Sequence, residues 1–164
     1  MPCLQAHDDF EALSKQACRG LQGCTLPPHI TLYSDHLENA ANAVDRLSQV
    51  AEGCKPVELS PTAIEAGSLF TKSLILHFAA GDELIHWFMQ LRRQSPNRLD
   101  YQLKPHLSLL YSSETLSAKQ AIATQLQLPA PALFNRLSVV VHPLTINTDA
   151  DIAAVTTLHE HKLE

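Results

Sequence analysis

The chain has 164 residues, 45% of them apolar, enough to build one compact domain or two small lobes with a shared core. Its 12 basic and 17 acidic residues leave a formal charge of −5, which excludes the broad basic field that holds long nucleic acid but not a local phosphate site. No apolar run approaches a membrane span, and MPCLQAHDDF lacks the basic start and apolar stretch of a secretory signal, so a cytoplasmic protein is expected.

Asp8 or Asp9 can cap a first helix with Phe10, Leu13, Ala17 and Leu21 on its apolar face. A short strand, CLQA, can precede it. Gly23 and the pair Pro27-Pro28 end the helix, ITLY reads as a strand, and residues 35 to about 50 read as a second helix with Leu37, Ala41, Val44 and Leu47 on one side. Two strands follow, residues 57–66 and 72–80, around a turn containing Gly67, and form a hairpin. From Asp82 the period is helical again, with Leu84, Ile85, Trp87, Phe88 and Leu91 inward and Arg92 and Arg93 in the last turn, where cations suit the helix dipole. Ser95-Pro96-Asn97 breaks it. LKPHLSLLYS gives a strand, Ser117 caps a helix to about Leu128, and RLSVVVHPLTI and DIAAVTTLHEH are expected as closing strands.

The chain therefore repeats itself: helix, Pro-His strand, helix, strand, strand. The expectation is a single bilobal α+β domain over residues 1–164, its copies covering about 1–80 and 72–164 and overlapping because strands can be shared. The four cysteines, Cys3, Cys18, Cys24 and Cys54, show no metal-ligand spacing and are read as reduced; a Cys18–Cys24 disulfide would close a small loop but is not required.

The repeat carries one pattern twice, PPHITLY at 27–33 and KPHLSLLY at 104–111. On a strand, residues two apart share a face, so His29 stands beside Thr31 and His106 beside Ser108, while Ile30, Leu32, Leu107 and Leu109 fill the other face. A single H-x-T on a strand is more often a histidine at a sheet edge next to a β-favouring threonine than a catalytic pair. Two copies at corresponding places of a repeat point instead to one site with two imidazoles and two hydroxyls. Such a set suits a phosphoryl group: one neutral imidazole takes a proton, the other as imidazolium gives one, and the hydroxyls donate to non-bridging oxygens. The scheme needs neither metal nor cofactor.

These residues, His29-Ile30-Thr31-Leu32 and His106-Leu107-Ser108-Leu109, resemble the paired H-x-[ST]-apolar motifs of the 2H phosphoesterases, in particular the cyclic phosphodiesterase-like members, and the likeness covers nearly the whole chain. The resemblance implies two antiparallel sheets facing across a central cleft. It implies hydrolysis of a 2′,3′-cyclic nucleotide or a related small cyclic phosphate, such as that of ADP-ribose, with His29 and His106 as the acid/base pair and Thr31 and Ser108 as phosphate-binding hydroxyls. The sequence does not decide which histidine is the base; the order preferred here is His106 activating water and His29 protonating the leaving oxygen. A 2′-5′ RNA ligase-like or RNA-end-processing enzyme is the alternative, although Tyr33 and Leu110 stand where ligase-like relatives often carry Arg. A noncatalytic phosphonucleotide-binding module is the alternative outside enzymes. The expected partner is a small nucleotide or cyclic phosphate, with RNA ends as a further substrate, and the chain is expected to be a monomer.

Three aromatics are candidates to stack on a base. Tyr111 matches a position where cyclic phosphodiesterase-like members place an aromatic, yet alternation from His106 sends it to the opposite face unless the strand ends or bulges first. Tyr33 has the right parity, and Phe70 lies in the turn GSLFTKS. Lys72 and Lys104 are read as solvated surface residues that can add positive potential. His77, His86 and His142 are read as structural, and His159 with His161 as an incomplete ligand set.

Overall fold

The computed structural model describes residues 2–5, 10–36, 40–95 and 100–164. Nine strands and five helices are described: β1 (Pro2–Gln5), α1 (Glu11–Gly20), β2 (His29–Thr31), α2 (Ala40–Ala51), β3 (Val57–Leu59), β4 (Pro61–Ala66), β5 (Leu74–Phe78), α3 (Asp82–Gln94), β6 (His106–Leu110), α4 (Leu116–Ala123), β7 (Ala132–Phe134), β8 (Arg136–Val141), α5 (Asp149–Ala153) and β9 (Thr156–Lys162). A 3-10 turn at Phe70–Lys72 lies between β4 and β5.

Seven strands form one sheet in the order β4-β5-β6-β2-β1-β8-β9, and β3 pairs with β7 in a second. Every pairing is antiparallel. Leaving β9 aside, the order is symmetric about its middle: β2 answers β6, β1 answers β5 and β8 answers β4, while β3 pairs with its own counterpart, β7. This is an α+β fold built from a duplicated unit. The last strand of each copy lies beside the first strand of the other copy, since β4 pairs with β5 and β8 with β1. The two antiparallel halves join edge to edge between β2 and β6, at the pair Ile30–Leu107, rather than standing apart as separate sheets.

One face of the sheet carries the core. Ile30, Leu32, Leu107 and Leu109 are fully buried, as the alternation predicts, with Leu74, Leu76 and Leu137. Against them lie Phe10, Leu13, Ala17 and Leu21 of the α1 segment and Leu84, Trp87, Phe88 and Leu91 of α3. Phe10, Phe78 and Phe134 meet at ring-centroid distances of 5.6 to 5.8 Å, two of the three contacts edge-on, the geometry that aromatic quadrupoles favour.

Several boundaries differ from the sequence reading. Asp8 and Asp9, expected to cap α1, and Leu37, Pro96 and Asn97 lie outside the described residues. Asp35 does not open a helix. Its carboxylate accepts a hydrogen bond from Ser95 and faces Arg46 at 3.9 Å, tying the segment after β2 to α2 and to the end of α3. Ile85 is exposed rather than inward, because the buried stripe of α3 passes through Leu84, Trp87, Phe88 and Leu91. The expected strand 57–66 is divided between the two sheets. Thr115, not Ser117, caps α4, accepting a hydrogen bond from the Ala118 N–H, and α4 stops at Ala123 rather than near Leu128. DIA at 151–153 belongs to α5, since Thr148 and Asp151 form a reciprocal capping box, and the closing strand begins only at Thr156.

Candidate active site

The pair Ile30–Leu107 determines which side chains meet on the face opposite the core. In antiparallel register it carries His29 towards Ser108 and Thr31 towards His106. Four polar side chains thus form a square on adjacent strands, the two imidazoles on one diagonal and the two hydroxyls on the other. Diagonal neighbours on a sheet lie roughly 7–8 Å apart, a span that one phosphoryl group bridges. All four residues line one cleft of about 280 Å³.

The two imidazoles are held alike. His29 Nδ1 lies 2.8 Å from the Pro27 carbonyl oxygen and His106 Nδ1 lies 2.7 Å from that of Lys104. A carbonyl only accepts, so each Nδ1 carries the hydrogen and donates it, and Nε2 is the nitrogen left for chemistry. The intervening residues, Pro28 and Pro105, have fixed φ and no N–H, and hold the entry into each strand where the preceding carbonyl meets the ring. Burial lowers both histidines below their ordinary pKa. For His29 the backbone hydrogen bond opposes this and His106 and His142 add to it; for His106 the Lys104 carbonyl and Glu65 oppose it, while Lys72 and His77 add to it.

The Ser108 hydroxyl donates to the Thr71 carbonyl at 3.2 Å, linking the second motif to the loop between β4 and β5. That loop is tied down from below. Ser73 Oγ lies 2.9 Å from the Phe70 carbonyl oxygen and 2.8 Å from that of Ser112, and accepts from the Ser112 N–H at 3.0 Å. A Cβ at Gly67 would sit 2.2 Å from the Lys72 carbonyl oxygen, so only glycine allows this approach.

Tyr111 lines the cleft although simple alternation from His106 puts it on the core side. Leu74 pairs with Leu110 and Ile75 with Ser108, so Leu109 is an extra residue on β6. This bulge turns the strand by one residue: Leu109 and Leu110 both reach the core and Tyr111 returns to the cleft, where it is 5% exposed. Phe70 contacts it at a centroid distance of 6.2 Å but does not itself line the cleft. Tyr33 is in the core, 3% exposed, against Phe88 and Tyr101. The end of β2 at Thr31 removes the parity that would have kept it beside His29.

The structure brings further residues to the cleft that the sequence reading sets apart. Lys72 and Lys104, expected as solvated surface residues, are exposed and line it, as do Tyr101, Gln102 and His142. His142, read from the sequence as structural, follows β8 and reaches the cleft lining; its only signal in the sequence is its place at the end of an apolar strand. His77 lies on β5, opposite His106 in register, with Nε2 2.7 Å from Glu65. His86 contacts Gln90 on α3 at 2.7 Å, and His159 and His161 alternate along β9, away from the cleft. Cys18, Cys24 and Cys54 are free thiols; hydrogen bonding to Asp149 and burial push Cys24 up to about 12, burial contributing most.

No helix among the described residues is long and apolar enough to cross a membrane. No family model matches the chain, and no curated protein matches it by sequence. Solved structures do. TT0787 of Thermus thermophilus is 14% identical with a TM-score of 0.62, over 99% of this chain and 96% of that one. E. coli LigT, in complex with 3′-AMP, is 15% identical with a TM-score of 0.57, over 99% and 95%. A crystal structure of a phosphoesterase is 16% identical with a TM-score of 0.58, over 99% and 98%. With its symmetric strand order and paired Pro-His strands over one cleft, the chain shares the fold of LigT and of these two other structures.

Proposed function

We propose that the protein is a phosphoesterase that hydrolyses a 2′,3′-cyclic nucleotide or a related small cyclic phosphate, with His29 and His106 as acid and base. The observation that carries this reading is the diagonal pair of imidazoles, both anchored through Nδ1 to the carbonyl two residues earlier. The LigT structure of the same fold was solved with 3′-AMP, a nucleotide phosphomonoester of the kind such a hydrolysis would release.

Displacement at phosphorus brings the attacking oxygen in opposite the leaving oxygen, so one proton is removed on one side and another delivered on the far side. Imidazoles on a diagonal suit that geometry. In the proposed order, His106 Nε2 takes a proton from water as its oxygen bonds to phosphorus. The bond from phosphorus to one ribose oxygen breaks, and His29 gives its Nε2 proton to that oxygen. A ribose hydroxyl and a phosphomonoester result, and the two histidines have exchanged protonation states. Thr31 and Ser108 stand at the other corners as donors to the non-bridging oxygens; Ser108 must turn its hydrogen from Thr71 to the phosphate when substrate binds.

The test is turnover of 2′,3′-cyclic nucleotides by the purified protein with a chelator present, alongside His29→Ala and His106→Ala. Release of phosphomonoester that both substitutions abolish supports the reading. Nucleotide binding with no turnover by the unsubstituted protein would make it a binding module instead.

A further inference from the structure

The cleft contains a third imidazole that the two-histidine chemistry leaves unused. His142 follows β8, and its Nδ1 lies 2.7 Å from the Pro143 carbonyl oxygen, so it too donates through Nδ1 and leaves Nε2 for another partner. It lines the same cavity as His29 and His106, beside Ile146 and Val155. Its electrostatic influence falls on His29.

Two features separate it from the acid/base set. The first is symmetry. His29 and Thr31 have counterparts in His106 and Ser108, but β8 answers β4, which is followed by Gly67, so His142 has no counterpart and marks one side of the cleft only. The second is charge. Among the described residues lining the cleft are three histidines and two lysines, and no Asp or Glu, in a chain where acidic residues outnumber basic ones. Of the lysines, Lys72 acts electrostatically on His106, and Lys104 meets the His106 ring through its backbone carbonyl. A single phosphodiester carries one negative charge, which the His29–His106 diagonal already meets.

We propose that His142 is a specificity residue that binds a second phosphate of the substrate, on the His29 side of the cleft. Anchored through Nδ1, a neutral ring can only accept at Nε2, whereas the imidazolium donates there, so an anion seated on His142 is held by a charge-assisted hydrogen bond. The preferred substrate is then a nucleotide with a phosphate besides the one that reacts. This inference deepens the proposed phosphodiesterase reading and rests on it for the word substrate, but its test does not depend on turnover.

Calorimetry with 3′-AMP and adenosine 3′,5′-bisphosphate measures the added phosphate directly. The bisphosphate is expected to bind the unsubstituted protein about tenfold more tightly than 3′-AMP, with the ratio falling to about one in His142→Ala and remaining in Lys72→Met. His142→Gln, which keeps a polar group without the charge, is also expected to lose most of the ratio, and serves if the alanine variant does not fold. Equal affinities in the unsubstituted protein, a ratio that survives in the His142 variants, or one lost only in Lys72→Met would overturn the proposal. A bisphosphate preference that is lost in the His142 variants, without hydrolysis of any cyclic phosphate by the unsubstituted protein, sinks the phosphodiesterase reading and leaves the second-phosphate site standing.

Discussion

Ile30 faces Leu107 at the centre of the seven-stranded sheet, and this one antiparallel pair sets His29 beside Ser108 and Thr31 beside His106. The two halves of the duplicated chain thus contribute equally to one phosphate-sized square. If the imidazoles act as one acid/base unit, their losses will not multiply. His29→Ala and His106→Ala are each expected to lower kcat by about a hundredfold or more, with the double variant little worse than either single one. Unchanged turnover in one folded single variant removes that histidine from the chemistry.

The pH dependence follows from burial. Both histidines lie below the ordinary value of 6.5, with desolvation the largest cause. The general acid must be protonated in the free enzyme, and that fraction falls about tenfold per pH unit above its pKa, so kcat/KM is expected to peak on the acid side of 6.5 and to decline through neutrality. The same shifts bear on stability. As pH falls through 6.5 the unfolded chain takes up protons before the folded one does, so the stability present above 6.5 is progressively lost towards the lower folded pKa values. A kcat/KM maximum above pH 8, or a Tm insensitive to pH between 7 and 5, would contradict this account.

Ser108 has two claims on a single hydrogen. In the structure it goes to Thr71, and in the proposed mechanism to the phosphate. Ser108→Ala is expected to lower kcat/KM by about 10- to 100-fold and to speed amide hydrogen exchange in residues 69–73, whereas Thr31→Val should affect catalysis without loosening that loop. Equal exchange in the two variants would separate Ser108 from the loop.

Ser73 is fully buried and joins the loop to the residue after Tyr111. Ser73→Ala leaves the buried Ser112 N–H without this acceptor, at a cost of about 1–3 kcal/mol in urea unfolding, and frees the loop that carries Thr71 and Lys72. A loss below about 0.5 kcal/mol would mean that Ser112 finds another partner.

The local geometry of each motif is written in the chain. A strand's period of two puts His29 with Thr31 and His106 with Ser108, and proline decides where each strand begins, because both effects act within a few covalent bonds. The apolar faces of α1 and α3 are legible for the same reason, apart from Ile85 at the edge of its stripe. Some other boundaries turn on local signals that are easily passed over: Thr115 ahead of α4, and Thr148 with Asp151 around the start of α5, are capping patterns present in the sequence. How distant segments meet is a property of the folded molecule alone. No periodicity announces that β2 and β6 are neighbours, that the bulge at Leu109 returns Tyr111 to the cleft, or that the end of β8 brings His142 to join the other two histidines. These depend on inter-strand register, which is set by packing and hydrogen bonding between residues far apart in the chain.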